Sequence, residues 1–204
     1  MMIVIVDYGM GNLASIANML QRVGSRGVIS GDPALISGAE KLILPGVGSF
    51  DAAMRNLSER GLLPVLSEKV CLRKTPVLGI CLGMQLLTSR SEAGELPGLG
   101  WISAETRRFD FPQGGLKIPH MGWNSVREEK DSPLLSGTGG EQRFYFVHSY
   151  HVVCHDRRDV LATASYGGDF VAAVSRDNIY GVQFHPEKSH RFGMGLMKNF
   201  AELL

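Results

Sequence analysis

The chain has 204 residues, 44% of them hydrophobic and 20% charged, enough to bury roughly 70% of the unfolded surface and too apolar for a disordered protein. Its 21 Lys and Arg stand against 20 Asp and Glu, a net charge of +1, so no electrostatic feature points to nucleic acid or an anionic membrane. No apolar run approaches the roughly 20 residues of a membrane span, and the start, Met1 to Asp7, lacks a signal peptide's basic region. The expectation is one cytoplasmic domain over residues 1–204.

Along the chain, Met2 to Val6 reads as a first strand, and Leu13, Ile16, Ala17, Leu20 and Val23 recur at helical spacing after Gly9 to Asn12. Lys41 to Leu44 reads as a second strand that breaks at Pro45-Gly46-Val47-Gly48, and Phe50, Ala53, Met54 and Leu57 mark the next helix. The stretch Val65 to Leu72 is helical, Thr75 to Ile80 reads as a third strand, and Met84, Leu86 and Leu87 open another helix. This alternation is the sign of parallel strands joined by crossover helices. From Trp101 the texture changes to short strands at Phe144 to Val147, His151 to Cys154, Val160 to Ser165, Phe170 to Val174 and Ile179 to Phe184, read as antiparallel strands and returns to the sheet. Gly137 to Gly140 is a turn too short to be a linker, and the last segment is a helix with Phe192, Leu196, Phe200 and Leu203 on one side.

Three cysteines, Cys71, Cys81 and Cys154, form an odd set without close spacing, which excludes a disulfide scaffold or zinc knuckle. Gly79-Ile80-Cys81-Leu82-Gly83 lies between a predicted strand and a predicted helix and has the form of a nucleophile elbow with cysteine in place of serine. The flanking glycines permit a turn that projects the thiol, the helix start favours a thiolate, and the Leu82 N–H is placed to meet an oxyanion. A cysteine nucleophile needs a base. Gln183-Phe184-His185-Pro186-Glu187 ends the last apolar strand, and Pro186 restricts His185 to extended backbone. On such backbone residues 185 and 187 project to one side, so Glu187 is placed to orient the imidazole. Pro45-Gly46-Val47-Gly48 also follows a strand end and should face Cys81, offering further backbone donors.

Six ordered segments carry a resemblance over essentially the whole chain: Tyr8-Gly9-Met10-Gly11-Asn12-Leu13, Leu44 to Gly48, Gly79 to Leu87, Pro119-His120-Met121-Gly122-Trp123-Asn124, Val147-His148-Ser149-Tyr150 and Gly181 to Lys188. The sequence resembles class I (triad) glutamine amidotransferases and, within them, the glutaminase subunits of imidazole glycerol phosphate synthases. The resemblance implies a three-layer, flavodoxin-like α/β fold, its central sheet mostly parallel with additional antiparallel strands. It implies that Cys81 attacks the glutamine side-chain amide, that His185 moves the proton and that Glu187 orients His185. Val47, Gly48 and Leu82 would form the oxyanion hole, and Gly48, Gln85, Ser149 and Tyr150 would hold the substrate. Ammonia would pass to a (β/α)8-barrel cyclase in a heterodimer, with Tyr8, Asn12, His120, Met121, Trp123 and Asn124 near the interface. No metal or cofactor is expected.

Two other readings stand beside this one. Ser49-Phe50-Asp51, Tyr150-His151 and Ser189 to Met194 resemble a branch whose members feed ammonia to a cyclase-like partner in surface-sugar biosynthesis. Gly9-Met10-Gly11-Asn12-Leu13-Ala14 fits the G-x-G-x-x-A dinucleotide fingerprint of an NAD-binding oxidoreductase, although Ser30-Gly31-Asp32 is a poor match for the acid expected further on. His148 and His151 should face opposite ways on a strand, so with His155 they read as polar strand residues rather than metal ligands. His120 and His190 have no legible partner, Trp101 and Trp123 read as packing residues, and Cys71 and Cys154 as structural.

Overall fold

In the computed structural model, which describes residues 2–112, 115–137 and 141–203, the early apolar runs become parallel strands. All four residues of β1 (Ile3–Val6) are buried, as a strand covered on both faces requires. α1 (Leu13–Arg22) follows with Ile16, Met19 and Leu20 buried. β2 (Gly27–Ser30) and α2 (Pro33–Gly38) were not anticipated. β2 is a short, part-exposed edge strand and therefore lacks a continuous apolar run. β3 (Lys41–Gly46) runs past the expected break, with Pro45 and Gly46 still paired to Ile80 and Cys81; α3 (Phe50–Glu59) matches expectation, and the next helical stretch is α4 (Leu62–Ser67) continued by a π-helical turn at Glu68–Leu72. β4 (Val77–Cys81) runs directly into α5 (Leu82–Leu86), a helix of only five residues.

The second half contributes β5 (Arg90–Ser91), β6 (Ala104–Arg108), β7 (His120–Glu128), β8 (Gln142–His148), β9 (Tyr150–Cys154), β10 (Val160–Ser165), β11 (Asp169–Arg176), β12 (Ile179–Val182) and α6 (His190–Leu203). β7 escaped the sequence reading because only His120 and Val126 of its nine residues are buried, which leaves no alternation to see. The turn expected at Gly137 to Gly140 lies outside the described residues beyond Gly137. Leu196 and Phe200 of α6 are buried as expected, whereas Leu203 is exposed.

The strands order as β2-β1-β3-β4-β12-β11-β10-β7-β8, with β9 on β11 and β6, and β5 on β6. The run β2-β1-β3-β4-β12 is parallel, the 2-1-3-4-5 order of flavodoxin-like sheets, and antiparallel strands extend it from β11 onward. Alternate residues of β1 feed two cores: Ile3 and Ile5 pack with α1 and α6, Val4 and Val6 with α3 and α4. The result is a three-layer α/β structure. Lys41 ties two layers together by donating from its buried Nζ to the carbonyls of Phe200 and Ala201 at the end of α6.

This topology sets the site. Gly46 pairs with Cys81 at the carboxyl ends of β3 and β4, and Val182 of β12 pairs with Ile80. Three strand ends therefore release Val47, Leu82 and Gln183 at one edge of the sheet, where open α/β sheets bind ligands.

Candidate active site

Cys81 sits at φ 54 and ψ −107, a left-handed region that costs a non-glycine residue about 1–3 kcal/mol. Its neighbours show why glycine is needed there. A Cβ on Gly83 would stand 1.8 Å from the Leu44 carbonyl oxygen, and one on Gly79 would stand 2.7 Å from that of Gly83. Strand, elbow and helix can pack this closely only without those side chains. Because α5 is a single short turn, its dipole offers the thiol less than the sequence reading assumed.

His185 has the extended backbone expected before Pro186, at φ −103 and ψ 97, and its Nδ1 lies 2.8 Å from Glu187 Oε1. The route differs from the expectation. Pro186–Lys188 form a 3-10 turn, so the two side chains meet by curling rather than along a strand. The His185 backbone is pinned by its N–H to the Tyr145 carbonyl and by Ser189 Oγ, which donates to the His185 carbonyl at 2.6 Å. Burial pushes the His185 pKa down, but Cys81 and the Glu187 carboxylate outweigh it and hold the value up at about 9. Its Nε2 is buried without a regular hydrogen bond among the described residues and interacts with the Cys81 sulfur.

A cavity of about 380 Å³, the size of a small-ligand site, gathers Cys81 and His185 with Val47, Gly48 and Leu82 on one side and Gln85, Ser149 and Tyr150 on another. Glu187 lies behind His185. Gly48 holds φ 106, so the loop after β3 turns in a conformation that favours glycine. Sequence reasoning missed Pro119, Val147, His148 and Lys188 on the cavity wall, all of which stand inside the segments that carried the resemblance. It also missed Gln183, which is fully buried, accepts from Gln85 Nε2 at 3.1 Å and directs its own Nε2 at Cys81 Sγ, 3.7 Å away. A glutamine ending an apolar strand was the available signal.

The six residues expected near a partner divide. Asn12 is exposed, as are Met121 (61%) and Trp123 (39%), whose ring stacks on His190 at 5.5 Å. Asn124 is part-buried. Tyr8 and His120 are buried, so their side chains do not form surface. Tyr8 lies under the end of β3 and donates from its hydroxyl to the Pro45 carbonyl at 2.5 Å. The glycines of the apparent dinucleotide fingerprint serve the same packing. A Cβ on Gly11 would meet Pro45 at 3.1 Å, and one on Gly9 would meet the Arg60 guanidinium at 2.8 Å.

His148 and His151 do not face opposite ways. The chain breaks between β8 and β9 at Ser149, and both rings converge on Phe109, with centroids at 5.2 and 4.7 Å. Trp101 is buried as a packing residue. Cys71 is exposed rather than structural, whereas Cys154 is part-buried on β9 with its pKa pushed up to about 12 by burial. No helix among the described residues is long and apolar enough to cross a membrane.

The family model described as glutamine amidotransferase class-I matches residues 4–203. The imidazole glycerol phosphate synthase subunit HisH 2 of Methanococcus maripaludis is 57% identical over 98% of both chains. Its namesake in Pseudomonas aeruginosa is 54% identical over the full length of both. Among solved structures, a glutamine amidotransferase superposes with a TM-score of 0.77 at 20% identity, over 98% of this chain and 97% of its own. PurLQS of Thermotoga maritima gives 0.75 at 18%, over 98% and 96%. The chain belongs to the class-I glutamine amidotransferase family.

Proposed function

We propose that this chain is the glutaminase half of a two-protein synthase, one domain over residues 1–204 that works in the cytoplasm without metal or cofactor. The observation that carries the reading is the meeting of the strained Cys81 with His185 in one cavity, with Glu187 bonded to the far side of the imidazole, in a chain of this family. Cys81 sulfur attacks the side-chain amide carbon of glutamine, and its proton passes to His185 Nε2. The N–H groups of Val47, Gly48 and Leu82 receive the charge on the amide oxygen, an interaction worth about 3 kcal/mol per donor. His185 then protonates the leaving nitrogen, ammonia departs, and a glutamyl thioester remains on Cys81. Water, deprotonated by His185, hydrolyses it to glutamate and restores the thiol. Glu187 keeps the imidazole in register throughout, while Gly48, Gln85, Ser149 and Tyr150 hold the substrate.

Ammonia passes to a (β/α)8-barrel cyclase bound in a heterodimer, which makes imidazole glycerol phosphate and AICAR in histidine biosynthesis. The names of the relatives support this acceptor, and the exposed Asn12, Met121 and Trp123 offer an apolar and polar surface for the partner. The neutral charge balance fits a division in which the partner binds the phosphates. The test is to combine the chain with the cyclase, its phosphoribosyl substrate and glutamine. Glutamate and imidazole glycerol phosphate should appear in equal amounts. Glutamate without that product, together with coupling to a cyclase-like partner of surface-sugar biosynthesis, would assign the chain to the other branch.

A further inference from the structure

The wall of the cavity beyond Tyr150 leads into a line of hydrogen bonds whose direction is fixed by chemistry. The Tyr150 carbonyl can only accept, so His148 Nδ1, 2.8 Å away, carries a proton. A neutral imidazole has one N–H, which makes His148 Nε2 an acceptor. It lies 3.0 Å from His120 Nδ1, which is therefore the donor. His120 Nε2 is left to accept, and Asn124 Nδ2 stands 3.3 Å from it. The far end is fixed independently: Asn124 Oδ1 accepts from the Ser125 N–H at 2.8 Å, and its Nδ2 also donates to the Ser165 carbonyl at 2.9 Å. Read from either end, the line runs from Asn124 through His120 and His148 to Tyr150.

The line requires two neutral rings, because a proton on His148 Nε2 or on His120 Nε2 would set N–H against N–H. The surroundings meet this requirement. Phe109, Phe146, Tyr166 and Phe170 pack around the pair, and burial holds His148 down at about 3 and His120 at about 4. The ionisable groups acting on His148 besides His120 are His151 and His185, so no carboxylate favours its cation. On the cavity side the same Tyr150 carbonyl accepts from Gln85 Nε2 at 3.2 Å, and Gln85 continues through Gln183 to Cys81.

We propose that His120 and His148 are positioning residues of the glutamine site: a neutral pair, each protonated on Nδ1, that holds the Tyr150 carbonyl and Gln85 in register with strand β7. The kinetic part of this proposal rests on the glutaminase reading, whereas the tautomers do not.

The first test is long-range 1H–15N NMR of the full chain carrying 15N-histidine, at neutral pH. Both rings should be neutral with the proton on Nδ1; a cationic ring or an Nε2–H tautomer at either position overturns the proposal. The second compares two variants in the presence of the cyclase. His148→Asn keeps an amide donor near the Nδ1 position, whereas His148→Gln keeps an acceptor toward His120 and loses the donor to Tyr150. KM for glutamine should rise about tenfold for His148→Gln, the equivalent of one ordinary hydrogen bond, and by less for His148→Asn, which keeps the donor to Tyr150 and loses only the link to His120, with kcat changed less in both. Equal effects of the two variants, or none, would overturn the positioning role. Absence of glutamate from the wild-type complex would instead refute the glutaminase reading and leave the tautomers to decide this one.

Discussion

Two buried histidine sites lie on the rim of the same cavity and are treated in opposite ways. His185, at the end of the parallel half, is 2% exposed and has its pKa raised to about 9; His148 and His120, in the antiparallel half, are 5% and 4% exposed and are held at about 3 and 4. Burial acts downward on all three. What differs is the partner: His185 faces Glu187 and the Cys81 sulfur, whereas His148 and His120 face each other, an amide and a carbonyl. A sulfur and a carboxylate separate a ring suited to moving protons from a pair suited to holding a shape. Depth of burial alone decides neither.

The comparison can be broken at several points. Cys81→Ala should abolish glutamate release, a loss of about a millionfold in kcat by analogy with other nucleophile deletions, read in a coupled glutamate assay with the partner present. Glu187→Gln takes from His185 one of the two partners that distinguish it. Its pKa should fall, seen by NMR titration, and kcat should drop about 10³- to 10⁴-fold with little change in KM. The converse exchange is Asn124→Asp, which places a carboxylate beside His120 Nε2. The His120 pKa should rise above its ordinary 6.5, both ring nitrogens should carry protons, and the Nδ1–H signal of His148 should move with it.

Stability should follow the same division. The depressed values of His148 and His120 mean that the unfolded chain takes up protons first as pH falls below 6.5, so each ring should cost about 2 kcal/mol by pH 5, measured by denaturant unfolding. The raised value of His185 works on the other side: its contribution is complete below pH 6.5 and is lost as pH rises through about 9. The smallest effect belongs to Tyr8→Phe. Removing the hydroxyl from the Pro45 carbonyl should lower stability by about 1 kcal/mol, again by denaturant midpoint, and leave the fold intact.

Much of the molecule was legible because its signals are local. Continuous apolar runs gave β1, β3 and β4, and glycines around Cys81 announced a turn that tolerates no side chain at residues 79 and 83. Cys81, His185, Gln85 and Tyr150 were legible from their segments, although only the fold brings them to one cavity. What escaped depended on distant pairing. β2 and β7 carry little buried surface, so their strand character comes from neighbours rather than from their own pattern. The His120–His148 contact joins residues on two strands, and the break at Ser149 that turns His148 and His151 to the same ring leaves no periodic trace. Tyr8 was expected at the surface, and only the Pro45 carbonyl explains why a tyrosine is buried there.

The most direct measurement is to mix the chain and its cyclase partner with glutamine, quench within the first turnovers and map covalent adducts by mass spectrometry. The chain has three cysteines in different surroundings, Cys71 exposed, Cys154 part-buried and Cys81 at the elbow. A glutamyl adduct, of mass glutamine less ammonia, should appear on the peptide containing Cys81 and disappear as glutamate accumulates. An adduct on Cys71 or Cys154, or steady glutamate release with no adduct on Cys81 at any quench time, would contradict the account.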